Sequence, residues 1–239
     1  MVKKIVGTGV LLVLALALQA GVKMYTLKSP DGKVKLEVTA GQGIAYSLFY
    51  DGRLLLKPSR IALHTDLPEA DHWENIRITG TKQRHVSETV QAPFYRVKEF
   101  GIDCNELELR LNNGFSLLMR AYNDGMAYRF VAGRKGEMTV VEERAEFNFA
   151  DDFEAYIPYS TNPKDPWNMA FQNFYTKAPL TQYNTELPAF LPLTVDAGAV
   201  KLTLLESDLE AYPGMFVCGD GKTPALKGVF AAYPQETFK

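Results

Sequence analysis

Reactive side chains are scarce in this chain: 239 residues hold two cysteines, three histidines and two tryptophans. Cys104 and Cys218 stand alone, which rules out a cysteine zinc cluster. Two thiols leave a single disulfide and two free thiols equally open, because spacing in sequence says nothing of the Cα separation a bridge needs. His64, His72 and His85 show no HxH, HExxH or Cys/His spacing, so the common histidine metal motifs are absent. No GxSxG elbow, Walker A loop or GxGxxG turn occurs, which removes the usual serine-hydrolase, nucleotide and dinucleotide signatures. No basic block stands out against a net charge of −2, which argues against a nucleic-acid partner. Long amphipathic helical periods, fixed-period repeats and low-complexity tracts are missing too.

What is present begins with export. Lys3 and Lys4 precede an apolar run from Val10 to Leu18, too short to cross a hydrocarbon core of roughly 30 Å. Leu18-Gln19-Ala20 then places a small residue where a signal peptidase cuts. Residues 1–20 are read as a secretory signal peptide and 21–239 as the mature domain. The expected location is periplasmic or extracellular, with no membrane span after cleavage.

The mature region reads as short strands. Ser29-Pro30-Asp31-Gly32 has type I turn chemistry, and Val34, Leu36 and Val38 alternate with charged residues behind it. Asp51-Gly52 between Tyr46–Tyr50 and Arg53–Leu56 is a hairpin signal, because a primed turn needs positive φ at both central positions. Leu107, Leu109 and Leu111 alternate with Glu106, Glu108 and Arg110, and Asn112-Asn113-Gly114 turns the chain into Phe115–Tyr122. Asn123-Asp124-Gly125 leads into Met126–Val131. Further strands are expected at Thr139–Val141, Glu146–Phe149, Leu191–Val195, Val200–Leu205 and Leu226–Ala231. Many short strands punctuated by Gly and Pro predict an all-β sandwich, as one large domain or two small ones.

Chemistry has to come from carboxylates or aromatic rings. A glycosidase holds two acids on either side of a sugar bond. Glu142 and Glu143 are adjacent in an expected strand and so point to opposite faces. Glu206 ends an apolar run and precedes the turn Tyr212-Pro213-Gly214; an acid at a strand end suits a hard cation, but calcium needs several more oxygens. Between Ser160 and Pro188 lies an irregular stretch rich in Pro, Asn and aromatics. Trp167 could stack on a sugar face and Asn168 could pair with a hydroxyl, although rings of this kind more often pack inward.

Several ordered motifs resemble the N-terminal domain of glycoside hydrolase family 97. They are Ser29-Pro30-Asp31-Gly32, Tyr50-Asp51-Gly52, Pro58-Ser59-Arg60, the run Arg120 to Phe130, Glu142-Glu143 through Phe147, Leu205-Glu206-Ser207-Asp208-Leu209, and Tyr212-Pro213-Gly214-Met215. The resemblance implies a β-super-sandwich of the galactose-mutarotase type. It also implies a following (β/α)8 catalytic barrel that acts on α-linked glucosides or galactosides, with calcium at its active site. By position, Glu206 is the expected calcium oxygen from this domain, and Trp167 and Asn168 are the expected sugar contacts. Gln172 stands where the resemblance places Glu in some relatives; an amide is a weaker ligand. No βα alternation follows in the sequence to Lys239, so this chain by itself is not expected to hold a complete catalytic site. A stand-alone carbohydrate-binding module is the rival expectation, and a mutarotase-like enzyme ranks third.

Overall fold

The computed structural model describes residues 22–167, 173–207, 209 and 212–232. Residues 1–20, expected to be a signal peptide, and Asn168, Gln172, Asp208 and Glu210 lie outside the described residues. Among the described residues fifteen strands form three sheets, and every strand pairing is antiparallel. No helix among the described residues is long and apolar enough to cross a membrane.

The large sheet has seven strands: β1 (Lys23–Lys28), β2 (Val34–Gly41), β3 (Gly43–Tyr50), β4 (Arg53–Thr65), then β9 (Val140–Asn148), β15 (Ala225–Phe230) and β14 (Met215–Gly219), in that spatial order. Its first hairpins follow from local chemistry. Val34, Leu36 and Val38 are buried while Lys35, Glu37 and Thr39 stay partly wet, so alternation selects one face for the core. The Gly32 amide donates to the Ser29 carbonyl at 3.0 Å, closing the first turn. Asp51 and Gly52 have φ of 48° and 78°, the primed-turn geometry, and Tyr50 pairs with Arg53 across it.

A second sheet carries β5 (Ile78–Gln91), β6 (Glu99–Leu111), β7 (Phe115–Tyr122) and β8 (Gly125–Ala132) in sequence order. A third, in the order β11-β10-β12-β13, comprises β10 (Glu154–Ile157), β11 (Thr176–Pro179), β12 (Leu193–Ala197) and β13 (Val200–Leu204). The first two sheets face each other. Tyr46 of β3 meets Tyr128 of β8 at 5.9 Å, and buried Trp73 packs against Phe115 and Phe130 at 6.0 and 5.2 Å. The Trp73 indole N–H donates to the Leu63 carbonyl at 2.9 Å, so its polar atom is satisfied inside the core. The third sheet is tied in by Arg53, which donates to the Ala197 carbonyl at 2.6 Å and lies over the Phe153 ring. One continuous apolar cluster runs from Leu27 to Leu226 and draws on all three sheets.

One expectation changes and one open question closes. Thr139–Val141 and Glu146–Phe149 belong to one strand, β9. The charged run Glu142-Glu143-Arg144 looked like a break, but backbone pairing to β4 and β15 carries the strand through it. Cys104 and Cys218 are free thiols, the first buried, which settles the disulfide question against a bridge.

Candidate functional site

The Glu206 carboxylate sits on the connection between β13 and β14, where the chain passes from the third sheet to the seven-stranded one. Among the described residues both of its oxygens accept from a single donor, the Met215 amide, at 2.9 and 2.8 Å. Burial raises its pKa above the ordinary 4.5, and the Met215 amide offsets only part of that. Two oxygens sharing one N–H leave most of their lone pairs open.

Glu143 is its electrostatic neighbour. On β9, Glu142 is exposed while Glu143 shares the face of buried Ala145 and Phe147. An acid at a core-facing position is costly unless it finds a donor. Tyr212 supplies one, its hydroxyl donating to Glu143 Oε2 at 2.7 Å. Burial and, further down, the nearby Glu206 charge still push the Glu143 carboxyl above its usual range. Tyr128 and Tyr212 are driven well above a normal phenol, first by burial and then by surrounding acidic groups. The Tyr212 ring packs edge-to-face on Phe230 of β15, 5.8 Å between centroids.

Trp167 packs from a loop against Phe216, the residue after Met215 in β14. Its ring meets Phe216 edge-to-face at 5.0 Å and remains 36% exposed. Phe216 joins Phe190 and Val229 in a small satellite cluster. So Trp167 is both packed and open, where sequence reasoning set the two readings against each other. Phe174 and Tyr175 are exposed nearby in sequence. Asn173 turns its amide inward, donating to the Tyr159 carbonyl at 2.8 Å.

No group of three or more His, Cys, Asp or Glu side chains among the described residues could hold a metal ion. A calcium site that used Glu206 would therefore take at most one further His, Cys, Asp or Glu side chain from the described residues and would need other oxygens to complete it. The histidines depart from expectation. Spacing shows no histidine metal motif, yet the fold pairs His64 Nδ1 with Asp71 at 2.6 Å and His85 Nε2 with Asp103 at 3.1 Å. The two pairs belong to different sheets, β4 and β5–β6, and neither includes Glu143 or Glu206.

One charged constellation escaped the sequence reading. Alternation placed Glu106 on a wet face, but it is 4% exposed. Register sets Arg84 of β5 and Arg120 of β7 directly opposite it on either side. Both guanidiniums donate to its carboxylate, at 2.6 and 2.8 Å. Only the cross-strand register reveals this, since the three residues are far apart in sequence. A cleft lined by Thr26, Lys28, Gln83, Arg84, Asn105 and Glu106 adjoins this clamp and shares no residue with the Glu206 or Trp167 neighbourhoods.

The family model described as Glycosyl-hydrolase 97 N-terminal matches residues 27–234. A retaining alpha-galactosidase of Bacteroides thetaiotaomicron is 39% identical over 229 residues, covering 93% of this chain and 34% of that protein. A probable retaining alpha-galactosidase of Streptomyces bingchenggensis is 26% identical over 158 residues, covering 64% of this chain and 24% of that one. A glycoside hydrolase family 97 enzyme of Pseudoalteromonas sp. strain K8, solved with acarbose, superposes with a TM-score of 0.72 at 18% identity, over 86% of this chain and 32% of its own. A beta-arabinopyranosidase superposes with a TM-score of 0.73 at 20% identity, over 87% and 35%. At those identities the solved structures establish a shared fold. The chain spans about a third or less of the curated relatives it matches.

Proposed function

The chain belongs to the glycosyl-hydrolase 97 N-terminal domain family, and from that premise we propose that it is the carbohydrate-associated domain of an exported α-glycosidase. In this reading it buttresses a (β/α)8 catalytic region, shapes the sugar pocket and contributes one oxygen, from Glu206, to a calcium site. Trp167 and Asn168 would face the sugar, an α-linked galactoside or glucoside. The galactoside is favoured by the names of the two curated relatives.

The observation that carries the proposal is the state of Glu206. A carboxylate raised by burial, held by one shared N–H, is a weakly satisfied anion with free lone pairs. Such a group gains from a hard cation completed by another region's oxygens. Calcium bound there would neutralise Glu206 and link the two regions.

The test uses the purified chain and a longer protein containing it. The chain alone should hydrolyse nitrophenyl α-galactoside and α-glucoside no faster than background. Turnover abolished by a substitution within residues 21–239 would overturn the reading. In the longer protein, Glu206→Gln should weaken calcium binding, read by titration calorimetry.

A second reading, a carbohydrate-binding module, is favoured by the exposure of Trp167, Phe174 and Tyr175. Calorimetry of the chain against melibiose, maltose and maltotriose separates the two. A buttressing domain gives no heat, whereas a module gives saturable binding that Trp167→Ala removes.

A further inference from the structure

We infer that Glu143 and Tyr212 are positioning residues that fix the direction of the Glu206 carboxylate. The inference rests on Glu206 being a functional group of this domain, as proposed above. Glu206 lies past the end of β13, beyond its last ladder pair, Leu193 with Leu204. Its place is set by what the connection to β14 holds on to.

Two ties are visible. The first is Glu206 itself, closing onto the Met215 amide at the start of β14. The second is Tyr212. Its hydroxyl is held by Glu143 of β9 at 2.7 Å and its ring by Phe230 of β15 at 5.8 Å. β9 and β15 are paired neighbours in the seven-stranded sheet, so Tyr212 is pinned to a rigid surface at two points. Between the ties, Gly214 lies beside the acid: a Cβ there would make ordinary contact with Glu206 Oε1, at 3.4 Å. The segment from Tyr212 to Met215 thus forms a short shelf, anchored at one end by Glu143 and supporting Glu206 at the other. This explains why an acid occupies a core-facing position on β9. Its role is to accept the tyrosine proton donor, which an apolar residue could not do.

The Met215 amide reports the arrangement directly, because its hydrogen bond is to Glu206. Val217, one pleat further along the strand, donates to Ala189 at 2.8 Å and serves as the internal control. Amide hydrogen exchange is measured on the purified chain in calcium-free buffer. Tyr212→Phe keeps the ring and removes the hydroxyl; it should speed Met215 exchange by about tenfold and leave Val217 within about twofold. Glu143→Leu should behave the same way. Glu143→Gln retains a carbonyl acceptor and should restore Met215 protection to about the parent level. Unchanged Met215 exchange in Tyr212→Phe overturns the inference. So does an equal loss at Val217, which would mean general loosening of the strand. Because no calcium or sugar is present, the outcome stands apart from the proposed function: a flat calcium titration with a confirmed shelf would sink only the metal reading.

Discussion

Two inward-lying acids, Glu106 and Glu143, are solved in opposite ways by the same fold. Burial works against both charges. At Glu106 the hydrogen bonds and charges of Arg84 and Arg120 outweigh it, and the carboxyl is held below its ordinary 4.5. At Glu143 one tyrosine hydroxyl answers burial, a second carboxylate adds to the cost, and the carboxyl is pushed up. The first acid is a finished ion-pair network, with its hydrogen bonds made and its charge compensated. The second is polar without compensation. Structural sites tend toward the former, while groups waiting for a ligand resemble the latter. The contrast singles out the β9–β14–β15 corner as the candidate working end of the domain and the β5–β7 clamp as scaffold.

The largest effect should come from breaking the clamp. Glu106→Gln leaves two guanidiniums without their counter-ion. Breaking a fully buried pair costs roughly 3–5 kcal/mol. Here the Arg side chains are 54% and 27% exposed, and water can reach them. The expected loss is therefore about 2–3 kcal/mol, read as a lower urea midpoint. A loss as small as that of a surface substitution would erase the distinction between the two corners.

The partners should not be equal. Arg120→Gln is expected to cost about 1–2 kcal/mol, because its guanidinium is the more buried of the two and also lies at 3.5 Å from the Tyr122 hydroxyl. Arg84→Gln, half in water, should cost clearly less than Arg120→Gln. Equal losses would show that the clamp works as a generic charge pair and not through burial.

These two corners also mark what the sequence can and cannot convey. The alternation of Val34, Leu36 and Val38 and the Asp51-Gly52 turn are local instructions, and the structure follows them. β5 was missed because both its faces are largely wet: over Ile78–Gln91 only Val86 is buried, so no period-two signal exists. β9 was split because Glu142, Glu143 and Arg144 mask a strand whose continuity comes from its neighbours. Glu106 was misread as a solvent-facing acid because alternation describes one strand, whereas its burial is made by side chains on two others. Glu206 was legible as a strand-end acid in its own right. Its tie to Met215, and the role of Glu143, depend on a closure between β13 and β14 that no local pattern encodes.

The smallest effect is the most diagnostic, because its sign follows from the contrast. Glu143 has a folded-state pKa above 4.5, so between 4.5 and that raised value the folded chain keeps a proton which the unfolded chain has released. Its favourable contribution is full below 4.5 and is lost as pH rises through the folded value. Glu106 runs the other way: with a lowered folded value, its contribution is present above 4.5 and is lost as pH falls through that lower value. Glu143→Gln removes the ionisable group and keeps an acceptor for Tyr212. Relative to the parent, it should therefore gain stability as pH is raised above 4.5, by less than the cost of either clamp substitution, because one carboxyl and one shift in its titration are involved. The measurement is a series of urea midpoints from acid to neutral pH for parent, Glu143→Gln and Glu106→Gln. The Glu143→Gln advantage should widen toward neutral pH, while the Glu106→Gln deficit should narrow toward acid. If calcium is then added to a longer protein containing the catalytic region and Glu206 ligates it, the positive charge should lower Glu143 as well. The Glu143→Gln advantage would shrink, and the uncompensated corner would come to resemble the clamp.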